Sequence, residues 1–132
     1  MKTSEFNQFH KDTAEECLEI CKAKQADYAC PENTFKNFEV CEALSVCDAE
    51  VGIFVRFTDK VSRLGNVLFK TARVKEETVE DTIKDAINYL IILLAYLQYK
   101  KARRLKQGRK FVDDTQRKID QEKRCHALAS GQ

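Results

Sequence analysis

The sequence has few of the residues that break helices, with one proline and four glycines among 132 residues. A β-sandwich or barrel needs a turn about every 8–12 residues, so this scarcity argues against both folds. The glycine-rich phosphate loops GxGxxG and GxxxxGK are also missing, which argues against Rossmann and P-loop proteins. Lys, Glu, Leu and Ala are abundant instead, and the sequence therefore predicts an all-α protein with long helices.

Cysteine and histidine spacing gives no zinc-binding pattern. None of the six cysteines forms a CxxC pair, and His10 and His126 lie far apart in the sequence. The first residues are polar and lack the apolar segment of a signal peptide, so we expect a cytoplasmic protein with free thiols. Cys17 and Cys21 lie one helical turn apart on an apolar face, which favours small core residues over a redox or metal role.

Long hydrophobic runs are also missing, and the longest, residues 86–97, has 12 residues. A helix of that length spans about 18 Å, which is too short for a bilayer core of about 30 Å, so no membrane partner is expected. The run predicts a helix that is buried on all sides, in a core or in a subunit interface.

Charge is distributed unevenly along the chain. Residues 1–97 contain 12 Lys and Arg against 17 Asp and Glu, a net charge of −5, whereas residues 98–132 contain 11 against 4, a net charge of +7. We therefore divide the chain into a helical domain at residues 1–99 and a basic C-terminal helix or tail at residues 100–132. No base-reading motif accompanies the basic residues, so nucleic acid is an unlikely partner.

Apolar residues recur at steps of three and four in several segments, and this spacing is typical of helices. The predicted helices are residues 4–24, 35–45, 49–70, 79–105 and 111–127. Residues 25–34, which include Pro31, are predicted to be a loop, and residues 71–77 a connector. We expect Gly108 to end or bend the fourth helix, and residues 129–132 to be disordered.

Capping residues and apolar stripes define the two long helices in the middle of the chain. Asp48 is a candidate N-cap for the first, and Thr78 with Asp81 forms a variant of the capping box for the second. The predicted core stripes are Ile53, Phe54, Phe57, Val61, Leu64 and Leu68 on the first helix, and Ile83, Ile87, Leu90, Ile91, Leu94 and Leu97 on the second.

The same two helices carry polar residues that share a face and that packing alone would not require. They are Arg56, Asp59, Lys60 and Arg63 on the first helix and Asp81, Asp85 and Asn88 on the second. Asp85 and Asn88 lie at the edge of the apolar run, so we expect them to be partly buried. A buried carboxylate needs a cation. In one interpretation a basic residue of the facing helix pairs with Asp85 and joins the bundle; in the other, the acids bind Mg²⁺ and the bases bind phosphates.

Three stretches of the sequence together match one family pattern. They are K-A-K-Q-A-D-Y…T-F-K-N-F (residues 22–38), E-V-G-I-F-V-R-F-T-D-K-V-S-R-L (residues 50–64) and V-K-E-E-T-V-E-D-T-I-K-D-A-I-N-Y-L (residues 74–90). With these stretches the chain resembles the nucleotide modification associated domain 1 family of phages and prophages, which is similar to the MazG-like all-α nucleoside triphosphate pyrophosphohydrolases. The resemblance covers roughly residues 15–97, about two-thirds of the chain.

The resemblance implies a MazG-like bundle of about four to five helices, usually oligomeric, with a nucleotide in a cleft between helices. MazG-like enzymes hold Mg²⁺ on acidic residues of two helices and convert a nucleoside triphosphate to the monophosphate and pyrophosphate. Carried over to this chain, Asp59, Asp81 and Asp85 become the metal ligands, and Asp59 and Asp85 become the catalytic residues.

Other residues of the same stretches are candidate ligand contacts. Basic side chains would bind phosphates, aromatic side chains would stack on a base, and amides would read a base edge. The candidates are Arg56, Lys60, Arg63 and Lys24 for phosphate, Tyr28, Phe35, Phe38 and Tyr89 for stacking, and Asn37 and Asn88 for the base edge. Core packing for the aromatics, backbone contacts for the asparagines and a surface position for Lys24 are the alternatives.

A second functional hypothesis follows from the charge of the matching region. Asp59 is surrounded by three bases, Arg56, Lys60 and Arg63, and the other acid of its helix, Glu50, lies nine residues earlier. Few acids and many bases favour binding of a phosphorylated ligand over binding of several Mg²⁺ ions. The alternative to the hydrolase is therefore a non-catalytic nucleotide-binding protein, with which a phage could sequester a cyclic or ADP-ribose-type immune signal of its host. An interaction protein whose basic tail binds a partner is the third possibility.

Overall fold

The structure of the chain is a computed structural model that describes residues 1–28, 32–69 and 78–129. Within those residues it contains four α-helices and no strand, which confirms the all-α class. The helices are α1 (Thr3–Tyr28), α2 (Lys36–Ala43), α3 (Ala49–Phe69) and α4 (Val79–Ala129). The chain divides into two compact units, Met1–Tyr96 and Leu97–Gln132.

Two predicted helix boundaries are wrong. Helix α1 continues to Tyr28, four residues beyond the predicted end, because no helix breaker precedes Pro31. The predicted helices at residues 79–105 and 111–127 are a single helix, and Gly108 does not end it. A lone exposed glycine costs a helix only about 1 kcal/mol, which the good helix formers on both sides offset.

Some predictions lie outside the described residues. These are residues 29–31 of the predicted loop, the last residue of the predicted helix 49–70, the connector at residues 71–77, the tail residues 130–132 and the side chain of Tyr28. The helix starts are described, and they agree with the capping residues. Helix α3 begins directly after Asp48. The capping box before α4 forms, since Thr78 N donates to Asp81 Oδ2 at 3.1 Å and Asp81 N donates to Thr78 Oγ1 at 3.1 Å.

The core of the unit Met1–Tyr96 forms where α3 meets α4. Ala49 and Ile53 of α3 and Tyr96 of α4 are buried. The residues packed around them are Phe35, Phe38, Tyr89, Ile92 and Leu93. The ring of Phe35 meets Tyr96 edge-on, with centroids 5.2 Å apart. Ile53, near the start of α3, is buried as predicted, whereas Phe54, Val61 and Leu68 of the same predicted stripe are exposed, so that prediction is wrong for half of its six members.

The predicted core stripe of α4 is wrong for most of its members. Exposed positions in this stripe are Ile83, Leu90, Ile91, Leu94 and Leu97, while Ile87 is half-buried. Helix α4 is apolar on more than one face, so its periodicity does not show which face meets α3. The buried face is the one with Thr82, Asp85, Ala86, Asn88 and Tyr96.

In the unit Leu97–Gln132, all the described residues belong to α4. The basic residues of positions 100–110 are exposed apart from the half-buried Lys100. None of the described helices combines the length and the apolar character that crossing a membrane requires.

Candidate functional site

Asp85 is a buried carboxylate that joins three helices. It lies near the start of α4 and is 7% exposed. Its Oδ1 accepts a hydrogen bond from Lys24 Nζ of α1 at 2.5 Å, and its Oδ2 lies 3.0 Å from Lys60 Nζ of α3. We call these three side chains the Lys24–Asp85–Lys60 cluster.

The cluster places two lysines on one carboxylate. Burial raises the pKa of Asp85, but the hydrogen bonds from Lys24 and Lys60 lower it by more, so this pKa lies below its ordinary value. Asp85 is therefore ionised at neutral pH. Each of its two carboxylate oxygens contacts the ammonium group of one lysine.

The two lysines differ in their access to solvent. The side chain of Lys60 is 22% exposed and that of Lys24 is 55% exposed. The cluster therefore reaches the protein surface on the side of α1. Because a long exposed side chain changes rotamer easily, Lys24 can leave Asp85 and bind an anion from solution.

The structure brings together only part of the predicted polar set. Asp85 contacts Lys60 and Lys24, whereas Arg56 and Asp59 are exposed on α3 and Arg63 is half-buried. The interpretation in which a base of the facing helix pairs with Asp85 is thus correct for Lys60. Lys24 is an additional partner that the helix pattern did not indicate.

Asp81 lies one turn before Asp85 and takes part in the helix cap. Hydrogen bonds from the side chain and the backbone of Thr78 hold the pKa of Asp81 below its ordinary value. Among residues 1–28, 32–69 and 78–129, no three His, Cys, Asp or Glu side chains are grouped to hold a metal ion. The ligand set of Asp59, Asp81 and Asp85 for Mg²⁺ therefore stays a prediction from the resemblance.

Asn88 connects α4 to α1 through the backbone. Its Nδ2 donates to the carbonyl oxygen of Cys17 at 3.0 Å, and both residues are buried. Burial also raises the pKa of the Cys17 thiol. Asn88 therefore contacts the backbone, which was the alternative to reading the edge of a nucleotide base.

An ion pair also joins α4 to α1, one turn before Asn88. Lys84 Nζ lies 2.7 Å from Glu16 Oε2, and this contact raises the pKa of Lys84.

Three of the four candidate aromatic residues pack against the core. Phe35, Phe38 and Tyr89 lie against the buried cluster of Ala49, Ile53 and Tyr96. This arrangement agrees with the core-packing alternative for these three rings. Asn37 is exposed on α2.

One buried polar contact was not predicted. Tyr96 donates a hydrogen bond to Glu42 Oε2 at 3.4 Å. Burial, followed by the charges of Glu42, Glu39 and Glu50, raises the pKa of Tyr96 to about 12. The sequence contained no signal for this contact, because Tyr96 lies inside an apolar run and Glu42 lies 54 residues away.

We expect the hydroxyl of Tyr96 to ionise late in an alkaline titration. Because its folded-state pKa is raised from 10.0 to about 12, its contribution to stability is present below pH 10 and is lost as the pH rises through 12. Tyrosinate absorbance followed against pH should show a late step that Tyr96→Phe removes. The same late step in Tyr96→Phe and in the unmodified protein would contradict the burial of this hydroxyl.

An open groove of about 520 Å³ lies along α1. It is lined by Asp12, Glu15, Glu16, Glu19, Ile20 and Lys84. Four carboxylates repel phosphate, and Glu16 neutralises the one lysine in the groove. A phosphorylated ligand is therefore better matched by the Lys24–Asp85–Lys60 cluster than by this groove.

No family model, curated protein or solved structure matches the chain. The chemistry of the site therefore depends on its own side chains. Of the two lysines on one buried carboxylate, the more exposed Lys24 can exchange that carboxylate for another anion.

Proposed function

We propose that this protein binds a nucleotide through its phosphates at the Lys24–Asp85–Lys60 cluster. The observation that carries the proposal is the pair of lysines whose ammonium groups converge on one buried carboxylate. Phosphate oxygens form charge-assisted hydrogen bonds with ammonium groups as carboxylate oxygens do. Lys24 can therefore turn to the ligand, while the ammonium group of Lys60, which has three donors, binds a phosphate oxygen and stays beside Asp85.

The resemblance to the nucleotide modification associated domain 1 family supports this ligand class and suggests the activity. In the resulting proposal the protein is a MazG-like, Mg²⁺-dependent pyrophosphohydrolase that converts a nucleoside triphosphate to the monophosphate and pyrophosphate. Its Mg²⁺ ligands would be Asp59, which is exposed, Asp81, which also caps α4, and Asp85. A cation on Asp85 would have to displace a lysine.

Capture without hydrolysis is the second candidate function. It is favoured by the contact of both Asp85 oxygens with lysines, since that carboxylate already has its cations. The ligand would then be a phosphorylated signalling nucleotide of a bacterial host, of the cyclic or ADP-ribose type, and the protein a phage anti-defence factor in the host cytoplasm. In either case we propose a homo-oligomer.

Incubation with the four nucleoside triphosphates, a cyclic dinucleotide and ADP-ribose in the presence of Mg²⁺ tests both candidates. The hydrolase releases pyrophosphate from a triphosphate and loses this activity in Asp85→Asn. A capturing protein retains a ligand that is recovered chemically unchanged after heat denaturation. Asp113→Asn, on an exposed position of α4, is the matched control and should behave like the unmodified protein. If the protein neither releases pyrophosphate nor retains any of these compounds, the proposal is rejected.

A further inference from the structure

The turn after α2 brings two cysteines together. Val46 N donates to the carbonyl oxygen of Cys41 at 2.9 Å, and Ser45 N donates to that of Glu42 at 3.0 Å. These are the two hydrogen bonds of a Schellman motif, and Ser45 has the left-handed φ, 55°, that this motif needs. The N atom of the next residue, Cys47, lies 3.5 Å from the carbonyl oxygen of Cys41. The chain therefore folds back so that the backbones of the two cysteines lie side by side.

The sulfur atoms of Cys41 and Cys47 meet beside Gly52, near the start of α3. A Cβ on Gly52 would lie 3.6 Å from Cys41 Sγ and 3.8 Å from Cys47 Sγ. Burial raises the pKa of the Cys47 thiol, and the charge of Cys41 and a hydrogen bond with it raise this pKa further. Two thiols that interact in this way face each other directly.

This placement suits a disulfide between the two cysteines. A disulfide joins residues whose Cα atoms are about 4.4–6.8 Å apart and whose Cβ atoms are about 3.5–4.5 Å apart. Backbones in contact and sulfurs that share one glycine neighbour are compatible with this geometry. Both thiols are free and half-buried, so a small oxidant can reach them from solution.

Cys17 and Cys21 are also close in sequence, but they lack this geometry. They lie one turn apart within the regular helix α1. Residues at that spacing have Cβ atoms about 5–6 Å apart, which is too far for a disulfide. Cys17 is also only 1% exposed. We therefore expect these two cysteines to stay thiols while α1 is folded.

We propose that Cys41 and Cys47 are a modification site, at which a peroxide converts two thiols to one reversible disulfide. The bond would join the end of α2 to the residue that precedes the N-cap of α3. In a reducing cytoplasm such a disulfide forms transiently and is reduced again. No residue of the Lys24–Asp85–Lys60 cluster takes part, so the disulfide is independent of the proposed nucleotide ligand.

The oxidation removes two electrons from the pair of thiols. The thiolate of one cysteine attacks a peroxide oxygen, so an S–O bond forms, the O–O bond breaks and the leaving hydroxide takes up a proton as water. The thiolate of the other cysteine then attacks this sulfenic acid, so the S–S bond forms, the S–O bond breaks and a second water leaves. A dithiol reductant restores both thiols by exchange through a mixed disulfide.

Peptide masses after oxidation test the proposal, because trypsin leaves both cysteines in one peptide. The full chain, folded and without nucleotide, is treated with hydrogen peroxide, and its remaining thiols are blocked with iodoacetamide before digestion. Cleavage after Lys36 and Arg56 gives residues 37–56. We expect this peptide to carry neither label and to be lighter than its dithiol form by two hydrogen atoms. Reduction with dithiothreitol before blocking should restore both labels.

Residues 12–22 are the matched control in the same digest, since this peptide contains Cys17 and Cys21. In the folded protein it should form no disulfide. In urea both peptides should form one, because each pair is then joined only by a short flexible chain. Equal yields of the two disulfides from the folded protein would overturn the proposal, since closeness in sequence alone would then explain the bond.

Cys125→Ser removes an exposed thiol of α4 and should leave the yield of the disulfide in residues 37–56 unchanged. Loss of the disulfide in this variant would overturn the proposal, because the bond would then depend on exchange with Cys125. Retention of both labels on residues 37–56 of the unmodified protein would also overturn it. So would oxidation of this peptide to sulfinic acid without loss of the two hydrogen atoms.

Discussion

Asp85→Ala is expected to lower the free energy of unfolding by about 2 kcal/mol, because it leaves two lysines without their shared carboxylate. Asp85 is buried and receives Lys24 at 2.5 Å and Lys60 at 3.0 Å. Loss of one member of a fully buried ion pair costs about 3–5 kcal/mol. The smaller value applies here because Lys24 is more than half exposed and can turn to water.

Asp59→Ala is the matched control for this stability measurement. Asp59 is an exposed carboxylate of α3, and substitutions at exposed positions usually change stability by less than about 0.5 kcal/mol. Urea unfolding of the two variants gives the comparison. Equal stabilities for Asp85→Ala and Asp59→Ala would show that the cluster does not hold α1, α3 and α4 together.

The same contacts predict how the stability depends on acid. The pKa of Asp85 in the folded protein lies below its ordinary value of 3.8. A carboxylate with a lowered pKa adds stability above its unfolded-state pKa, and this stability is lost as the pH falls through the folded-state value. The stability difference between the unmodified protein and Asp85→Ala should therefore be constant above about pH 5 and shrink in stronger acid.

Lys60→Met is expected to weaken the binding of a nucleotide by about tenfold to a hundredfold. A hydrogen bond to a charged group contributes about 1.5–3 kcal/mol, which corresponds to that range of affinity. Lys60 is only 22% exposed, so its ammonium group is fixed by the surrounding side chains and needs little ordering when a ligand binds. Methionine retains most of the aliphatic length and removes the charge.

Lys11→Met provides the comparison, since Lys11 is exposed on α1 and lies far along that helix from Lys24. It removes the same charge from the same unit, so any general electrostatic effect appears in both variants. Calorimetric titration with the nucleoside triphosphates and ADP-ribose should give similar affinities for Lys11→Met and the unmodified protein. A similar loss in both variants would mean that net charge, and not the cluster, determines binding.

Local signals were sufficient to predict most of the helices. The capping pair Thr78 and Asp81 marked the start of α4, and Asp48 marked that of α3, because a helix start depends on neighbouring residues. The end of α1 and the continuity of α4 through Gly108 were predicted wrongly. In both places a single breaker residue was given more weight than the helix formers around it.

The sequence was sufficient to predict the buried carboxylate of Asp85, but only one of its two lysine partners. Asp85 lies at the edge of an apolar run, and this position predicted both its burial and a basic partner. Lys60 shares a helix face with other bases, so it was among the expected partners. Lys24 reaches Asp85 through the packing of α1, and the sequence pattern does not show which face of α1 meets α4.

The burial of the apolar residues was the least predictable property. Leu90 and Leu94 were predicted to be in the core, yet they are exposed, while the polar Asp85 and Asn88 are buried. Helix α4 is apolar on two faces, and one chain can cover only one of them.

The most direct test of the phosphate site is a calorimetric titration with inorganic triphosphate, which has the charge of the ligand but no base. The unmodified protein should bind it, and Lys24→Met/Lys60→Met should show no measurable heat, while Lys11→Met binds as before. No binding by the unmodified protein, or equal binding by the double variant, would contradict the assignment of the Lys24–Asp85–Lys60 cluster to phosphate.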